Sequence, residues 1–219
     1  MKKNFFVIVT IGVLVLSLVG CSNKAKEAHT IKVELSKEEK YDLDLAKKAE
    51  NQQEVLEILE RRDSKNFQMA LAKSDSSIVQ ETLLSYDGIY AEALVEICKN
   101  PCIPNIYYYA IRNSFISAIG DANLTVEQEI EIVKTEEYPM QLGVLCRQDL
   151  SVEALIYLLE TNNKFNATLN LNQYRNKEYI VKQIARLDLT LEQKEKLQSL
   201  NIDIVNEALL AKENAIAVK

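Results

Sequence analysis

Three segments of this chain open with the same pattern: a leucine, a hydroxyl residue, an apolar residue and a glutamate. They are Leu124-Thr125-Val126-Glu127, Leu150-Ser151-Val152-Glu153 and Leu189-Thr190-Leu191-Glu192. A serine or threonine in the second place caps a helix N-terminus, and a glutamate in the first turn complements the helix dipole. A unit of two short helices cannot bury its apolar face alone, but stacked units can share a core. The pattern therefore predicts an all-α fold of short helical hairpins stacked as an α-solenoid.

The rest of the chain agrees with a helical fold. Apolar residues recur three and four positions apart, and the whole sequence has only 5 glycines and 3 prolines, too few for the many turns of an all-β domain. Ser36 with Glu39 three residues later is typical of a capping box, so we expect the first helix to begin there. The alternative is an irregular helical bundle, in which the repeated pattern is only a common helix start.

The segment Lys99-Asn100-Pro101-Cys102-Ile103-Pro104 is similar to the Asn-Pro-x-x-Pro start of variant leucine-rich repeats. The wider pattern, over roughly residues 53–200, resembles HEAT-like arrays. Other units lack the prolines, and their spacing varies from 26 to 39 residues between the repeated starts. The resemblance implies an α-helical repeat domain.

The N-terminus has the features of an export leader. Lys2 and Lys3 precede an apolar run from Phe5 to Val19, which is shorter than a membrane-spanning helix requires. The run ends in Leu18-Val19-Gly20-Cys21, which resembles the lipobox of bacterial lipoproteins. That resemblance implies cleavage between Gly20 and Cys21, lipidation of Cys21 and a location on the extracytoplasmic face of the cell membrane. The alternative is an uncleaved anchor in which Cys21 has no role.

These features divide the chain into four parts. We expect a signal peptide over 1–20, a lipidated flexible tether over 21–35, a helical repeat-like domain over 36–213 and a C-terminal tail over 214–219. The formal net charge is −6, and no polybasic stretch occurs. An acidic chain of this kind is not expected to bind nucleic acid.

The residues needed for catalysis are scarce. The only histidine, His29, lies in the predicted tether, so we expect no histidine-based catalytic site, no metal site and no cofactor. Cys98, Cys102 and Cys146 are expected to be small buried residues, although a disulfide between Cys98 and Cys102 is compatible with the helix break at Asn100-Pro101. Carboxylates are plentiful, and most should lie on solvated helix faces: Glu127, Glu129, Glu131, Glu136 and Glu137.

Two segments are candidates for binding a partner. Tyr107, Tyr108 and Tyr109 would point about 100° apart on a helix, so they cannot all enter one core, and we expect Tyr108 or Tyr109 to be partly exposed. The alternative is that the rings pack between stacked helices with only their hydroxyls in water. The asparagine-rich segment 162–176 is a poor helix former and predicts an irregular repeat or an inserted loop.

Together these observations predict a membrane-anchored extracytoplasmic lipoprotein that acts as a non-catalytic protein-binding or scaffolding module. The expected contacts are the membrane, through the lipid at Cys21, and a protein partner at the cell envelope. Two alternatives come from other functional classes. One is a cell-envelope hydrolase that uses a pair of carboxylates. The other is a lipoprotein that captures a solute.

Overall fold

The computed structural model describes residues 34–165 and 174–217, and every regular element in these ranges is an α-helix. The twelve helices are α1 (Lys37–Lys47), α2 (Gln52–Arg61), α3 (Lys65–Ala72), α4 (Ser77–Leu84), α5 (Ala91–Lys99), α6 (Tyr109–Asp121), α7 (Val126–Val133), α8 (Tyr138–Cys146), α9 (Val152–Phe165), α10 (Tyr174–Arg186), α11 (Leu191–Ser199) and α12 (Asp203–Ala217). The prediction of an all-α fold is confirmed.

The helices form two layers, because each helix packs against the helix two places further along the chain. The odd layer contains α1, α3, α5, α7, α9 and α11, and the even layer contains α2, α4, α6, α8, α10 and α12. Every substantial helix contact in the described ranges joins consecutive helices or next neighbours of one layer. An irregular bundle would bring distant parts of the chain together. The structure is therefore the predicted stack of helical hairpins.

Helices within one layer run parallel, as contacts between their starts demonstrate. Lys65 at the start of α3 pairs with Glu92 at the start of α5, at 2.6 Å. Gln193 near the start of α11 donates to Glu153 near the start of α9, at 3.2 Å. We call the side where α1, α3, α5, α7, α9 and α11 begin the odd-start edge, and the opposite side the even-start edge.

The predicted capping residues lie at the starts of odd-layer helices. Ser36 and Glu39 form the expected capping box at α1. Thr125 and Thr190 cap α7 and α11, although their capping-box partners are Gln128 and Gln193, one residue after the glutamate of the pattern. Ser151 Oγ accepts the backbone N–H of Ala154 at α9, at 3.2 Å. The leucine that precedes each cap is buried in the core: Leu124, Leu150 and Leu189.

Polar side chains from one hairpin close the helix ends of its neighbour. Gln183 Nε2 in α10 donates to Leu145 O and Arg147 O at the end of α8, at 2.6 and 2.8 Å. Lys212 Nζ in α12 donates to three carbonyls at the end of α10: Ile184, Ala185 and Leu187. The last carbonyls of a helix have no partner within the helix, so these bonds both satisfy them and fix the next hairpin in place.

Some of the predicted segments lie outside the described residues. These are the signal peptide with the lipobox and Cys21, most of the tether, and residues 166–173 of the asparagine-rich segment. The last helix continues to Ala217, past the boundary at 213. Within the described ranges, no helix combines the length and the apolar character that crossing a bilayer requires.

Candidate functional site

Tyr107, Tyr108 and Tyr109 form the most prominent exposed aromatic group of the described residues, and we call them the tyrosine patch. Their exposed fractions are 57, 66 and 68%. They lie at the even-start edge, where the connection from α5 leads into α6. The prediction that Tyr108 or Tyr109 is partly exposed is confirmed, and the alternative in which all three rings pack between helices is wrong.

The secondary structure of the patch differs from the prediction. Only Tyr109 belongs to a helix, because α6 begins there, and Tyr107 and Tyr108 lie in the preceding turn. The backbone of Asn105 is left-handed, with φ 55°, and Tyr108 N donates to Asn105 O at 2.7 Å. This tight turn interrupts the helical spacing between Ile103, which is buried, and Ala110, which is exposed.

The connection between α5 and α6, which carries the patch, is held in place by a buried glutamine. Gln80 in α4 donates from Nε2 to Asn100 O at 3.2 Å, and its Oε1 accepts the backbone N–H of Cys102 at 2.8 Å. Ile103 then enters the core, where 4% of it is exposed. Because the loop is held at both of these points, the tyrosines are displayed on a fixed backbone.

Two of the three tyrosines have a side-chain partner. The Tyr107 hydroxyl donates to Glu137 Oε2 in the α7–α8 connection, and this bond raises the pKa of Tyr107, with a smaller contribution from burial. The Arg112 guanidinium lies over the Tyr109 ring, 5.2 Å from its centre, at a distance suited to a cation–π contact. The ring of Tyr108 is therefore the one whose face and edge are both open to a partner.

Tyr86 and Tyr90 do not belong to the patch. Tyr90 occupies the N-cap position of α5 and Tyr86 follows α4, so both lie at the odd-start edge, one helix length away from Tyr107. Tyr86 and Tyr90 are near Tyr107 in sequence but not in space, because α5 lies between them and the patch.

The three cysteines of the described ranges are poorly suited to act as nucleophiles. Cys98, Cys102 and Cys146 are free thiols, so the structure contains no Cys98–Cys102 disulfide. Burial raises the pKa of all three, most strongly for Cys98, which keeps them protonated and weakly nucleophilic. No group of three or more histidine, cysteine or carboxylate residues suited to a metal ion occurs in the described ranges.

The candidate carboxylates have identifiable partners in the fold. Glu131 pairs with Lys99 and Lys134 at 3.4 and 2.8 Å, and the bond from Lys134 lowers its pKa. The Glu127 carboxyl accepts a hydrogen bond from its own backbone N–H, and this bond lowers its pKa. A general acid in a glycosidase needs a raised pKa, which neither group has.

Glu129 belongs to a buried ion pair that the sequence analysis did not anticipate. Arg147 Nε lies 2.8 Å from Glu129 Oε1, and both side chains are almost fully buried. Arg147 Nη1 also donates to Ile119 O and Ala122 O at the end of α6, at 2.6 Å each. Glu129 and Arg147 therefore join α6, α7 and α8. The expectation that most of these carboxylates lie on solvated helix faces does not extend to Glu129, which is buried.

A surface groove of about 760 Å³ lies beside α1 and α2. Asp42 at its base is held by Arg62 at 2.7 Å and by Arg61 at 3.8 Å. The carboxylate of Asp42 is therefore already paired with both arginines that line the groove.

Comparisons with protein-family models, with curated proteins and with solved structures find no match to this chain.

Proposed function

We propose that this protein is a lipid-anchored, extracytoplasmic and non-catalytic module that binds a protein partner through the tyrosine patch. The observation that carries the proposal is the display of three consecutive tyrosines, each more than half exposed, on a turn held by Gln80. Tyrosine is enriched at the centres of protein interfaces, because its ring covers a large area at a small cost in conformational entropy.

The surroundings of the patch support a protein ligand. Solvent-exposed aromatic rings are unfavourable in water, and three adjacent ones are uncommon where nothing covers them. The hydroxyl groups supply hydrogen bonds at the rim of an interface. Arg112 and Glu137 hold Tyr109 and Tyr107, so the patch loses little freedom when a partner binds.

The anchor is proposed from the leader sequence. A diacylglyceryl group at Cys21 would hold the domain at the membrane, since two acyl chains give stable attachment where one does not. The polar tether up to Leu35 would set how far the domain reaches from the bilayer.

The proposal is tested with a photo-crosslinking amino acid placed at Tyr108 in the full chain, in the cells that produce it. Tyr41 in α1 is a matched control, because it is the same residue type and 65% exposed against 66% for Tyr108. We expect one dominant crosslinked protein from position 108 that is absent from position 41.

Affinity for that crosslinked protein provides the second measurement. We expect Tyr108→Ala to weaken binding by about 2 kcal/mol or more, as at an interface hot spot, and to change stability by less than about 0.5 kcal/mol. Tyr41→Ala should leave the affinity unchanged. Equal crosslinking from both positions, or equal affinities of the two variants, would contradict the proposal.

A further inference from the structure

The repeated helix starts have a feature that the fold does not account for. The leucine of each pattern is buried and the hydroxyl residue caps the helix, but the apolar residue that follows is exposed in two of the three patterns. Leu191 is 73% exposed and Val126 is 36% exposed, whereas Val152 at the equivalent place is partly buried against the core. An apolar residue at the first helical position contributes nothing to capping, so its recurrence here needs another explanation.

The glutamate that follows each of these apolar residues is also exposed. Glu127, Glu153 and Glu192 form no ion pair within the part of the chain that the structure describes, although Glu153 accepts a hydrogen bond from Gln193. The equivalent glutamate of α5, Glu92, is instead neutralised by Lys65 at 2.6 Å. Three neighbouring helices of the odd layer, α7, α9 and α11, thus each begin with an exposed glutamate that has no ion-pair partner in the described ranges.

The three starts lie side by side on the odd-start edge. Ser151 N at the start of α9 donates to Glu129 in α7 at 3.1 Å, and Gln193 in α11 reaches Glu153 in α9 at 3.2 Å. Packed helices have axes about 8–10 Å apart, so the apolar–acidic pairs recur at about that interval along the edge.

A groove opens from this row onto the outer face of the odd layer. Its volume is about 430 Å³, and its floor is apolar: Ile156 is buried, and Ile130 and Tyr157 are partly buried. Its rim is acidic, with Glu153, Glu160 and Glu192 against a single lysine, Lys196, which is 3.4 Å from Glu160.

We propose that this row and groove bind an amphipathic helix of a partner protein that carries a basic and an apolar residue once in every two turns. Two turns of an α-helix rise about 10.8 Å, slightly more than the ~8–10 Å expected between the starts of neighbouring helices. The apolar residues would contact Val126, Val152 and Leu191, while lysine or arginine neighbours would meet the three glutamates. This surface lies at the opposite edge from the tyrosine patch, and it does not depend on the function proposed for that patch.

The test uses the full chain in a neutral detergent and a fluorescent helical peptide of three seven-residue repeats, each with one leucine followed by one lysine. We expect saturable binding by fluorescence anisotropy. The triple variant Glu127→Gln, Glu153→Gln and Glu192→Gln should weaken binding about tenfold or more. Replacing Leu191 by Ser should weaken it several-fold.

A matched triple variant controls for net charge. Glu60→Gln, Glu178→Gln and Glu207→Gln removes the same charge from exposed positions of α2, α10 and α12 in the even layer, and binding should change less than about twofold. The circular dichroism melting curve of each variant verifies the fold.

Three results would overturn the proposal. The first is absence of binding, and the second is equal weakening by the two triple variants, which would reveal a non-specific charge effect. The third is equal binding of a peptide with the same composition and a scrambled order, because the seven-residue spacing would then be irrelevant.

Discussion

At the scale of single residues, the buried Arg147–Glu129 pair has the largest structural role of the charged groups described. The Arg147 guanidinium contacts the Glu129 carboxylate and two backbone carbonyls, and its Nη2 lies 2.7 Å from Asp149. A buried ion pair adds little net stability compared with apolar residues of the same size, but loss of one partner leaves an uncompensated charge in the core. Arg147 therefore fixes how three consecutive helices meet.

We predict that Arg147→Met lowers the free energy of unfolding by about 3 kcal/mol or more, because Glu129 and the carbonyls of Ile119 and Ala122 lose their partner. Urea unfolding followed by circular dichroism measures the change. Arg61→Met is the control, since Arg61 is also ion-paired but is 62% exposed, and it should cost less than about 1 kcal/mol. Similar losses in the two variants would refute the structural role of Arg147.

At the scale of helices, α6 and α8 are packed closely at a glycine. A Cβ atom added at Gly143 in α8 would lie 2.9 Å from Ile119 Cβ in α6. Ile119 is fully buried and its branched side chain has little freedom, so it cannot move aside easily. Gly143 is thus needed for the approach of two helices.

We predict that Gly143→Ala lowers the free energy of unfolding by about 1–3 kcal/mol, as overpacked cores do, although alanine is the better helix former by about 1 kcal/mol. The control is Gly120→Ala in α6, where a Cβ would meet no atom within 4 Å and the change should be neutral or stabilising. Thermal melting of the two variants distinguishes them. A Gly143→Ala protein as stable as the Gly120→Ala protein would mean that the α6–α8 packing is looser than described.

At the scale of the whole molecule, the two proposed surfaces lie at opposite edges of one stack. The tyrosine patch is at the even-start edge, and the apolar–acidic row is at the odd-start edge, where α1 also begins at Lys37. A two-layer stack displays both edges along its length, so the two proposed surfaces do not overlap. This arrangement suits the scaffolding role proposed for a membrane-tethered protein.

We predict that a clickable fatty-acid analogue labels the protein in cells and that Cys21→Ser abolishes the label, because the lipid would be attached to that thiol. The Cys21→Ser chain should also migrate as a larger protein, since the leader would not be removed. Cys146→Ser, at a free thiol of the domain, should keep the label. Labelling that persists in the Cys21→Ser chain would exclude this cysteine as the lipid anchor.

The tyrosine patch shows which features of the site could be predicted from the sequence and which could not. The prediction that Tyr108 or Tyr109 is exposed is confirmed, because consecutive side chains point in different directions and cannot all enter one core. The local structure was predicted wrongly, since the left-handed Asn105 and the anchoring by Gln80 depend on a turn and on a helix twenty residues away. Glu137 was likewise missed, because it meets Tyr107 only after the hairpins stack. Arg112 was missed although it lies three residues after Tyr109 in the same helix, where such a contact is local.

The sequence by itself determined the helical class and the capped starts at Ser36, Thr125, Ser151 and Thr190, and it favoured stacked hairpins over an irregular bundle. These features follow from local propensity, from capping chemistry and from apolar periodicity, which act over a few residues. Only the tertiary structure decided which polar residues are buried as braces, such as Arg147 and Gln183, and which apolar residues stay exposed, such as Leu191. The physical reason is that burial depends on which faces of neighbouring helices meet, and one sequence pattern is compatible with several such arrangements.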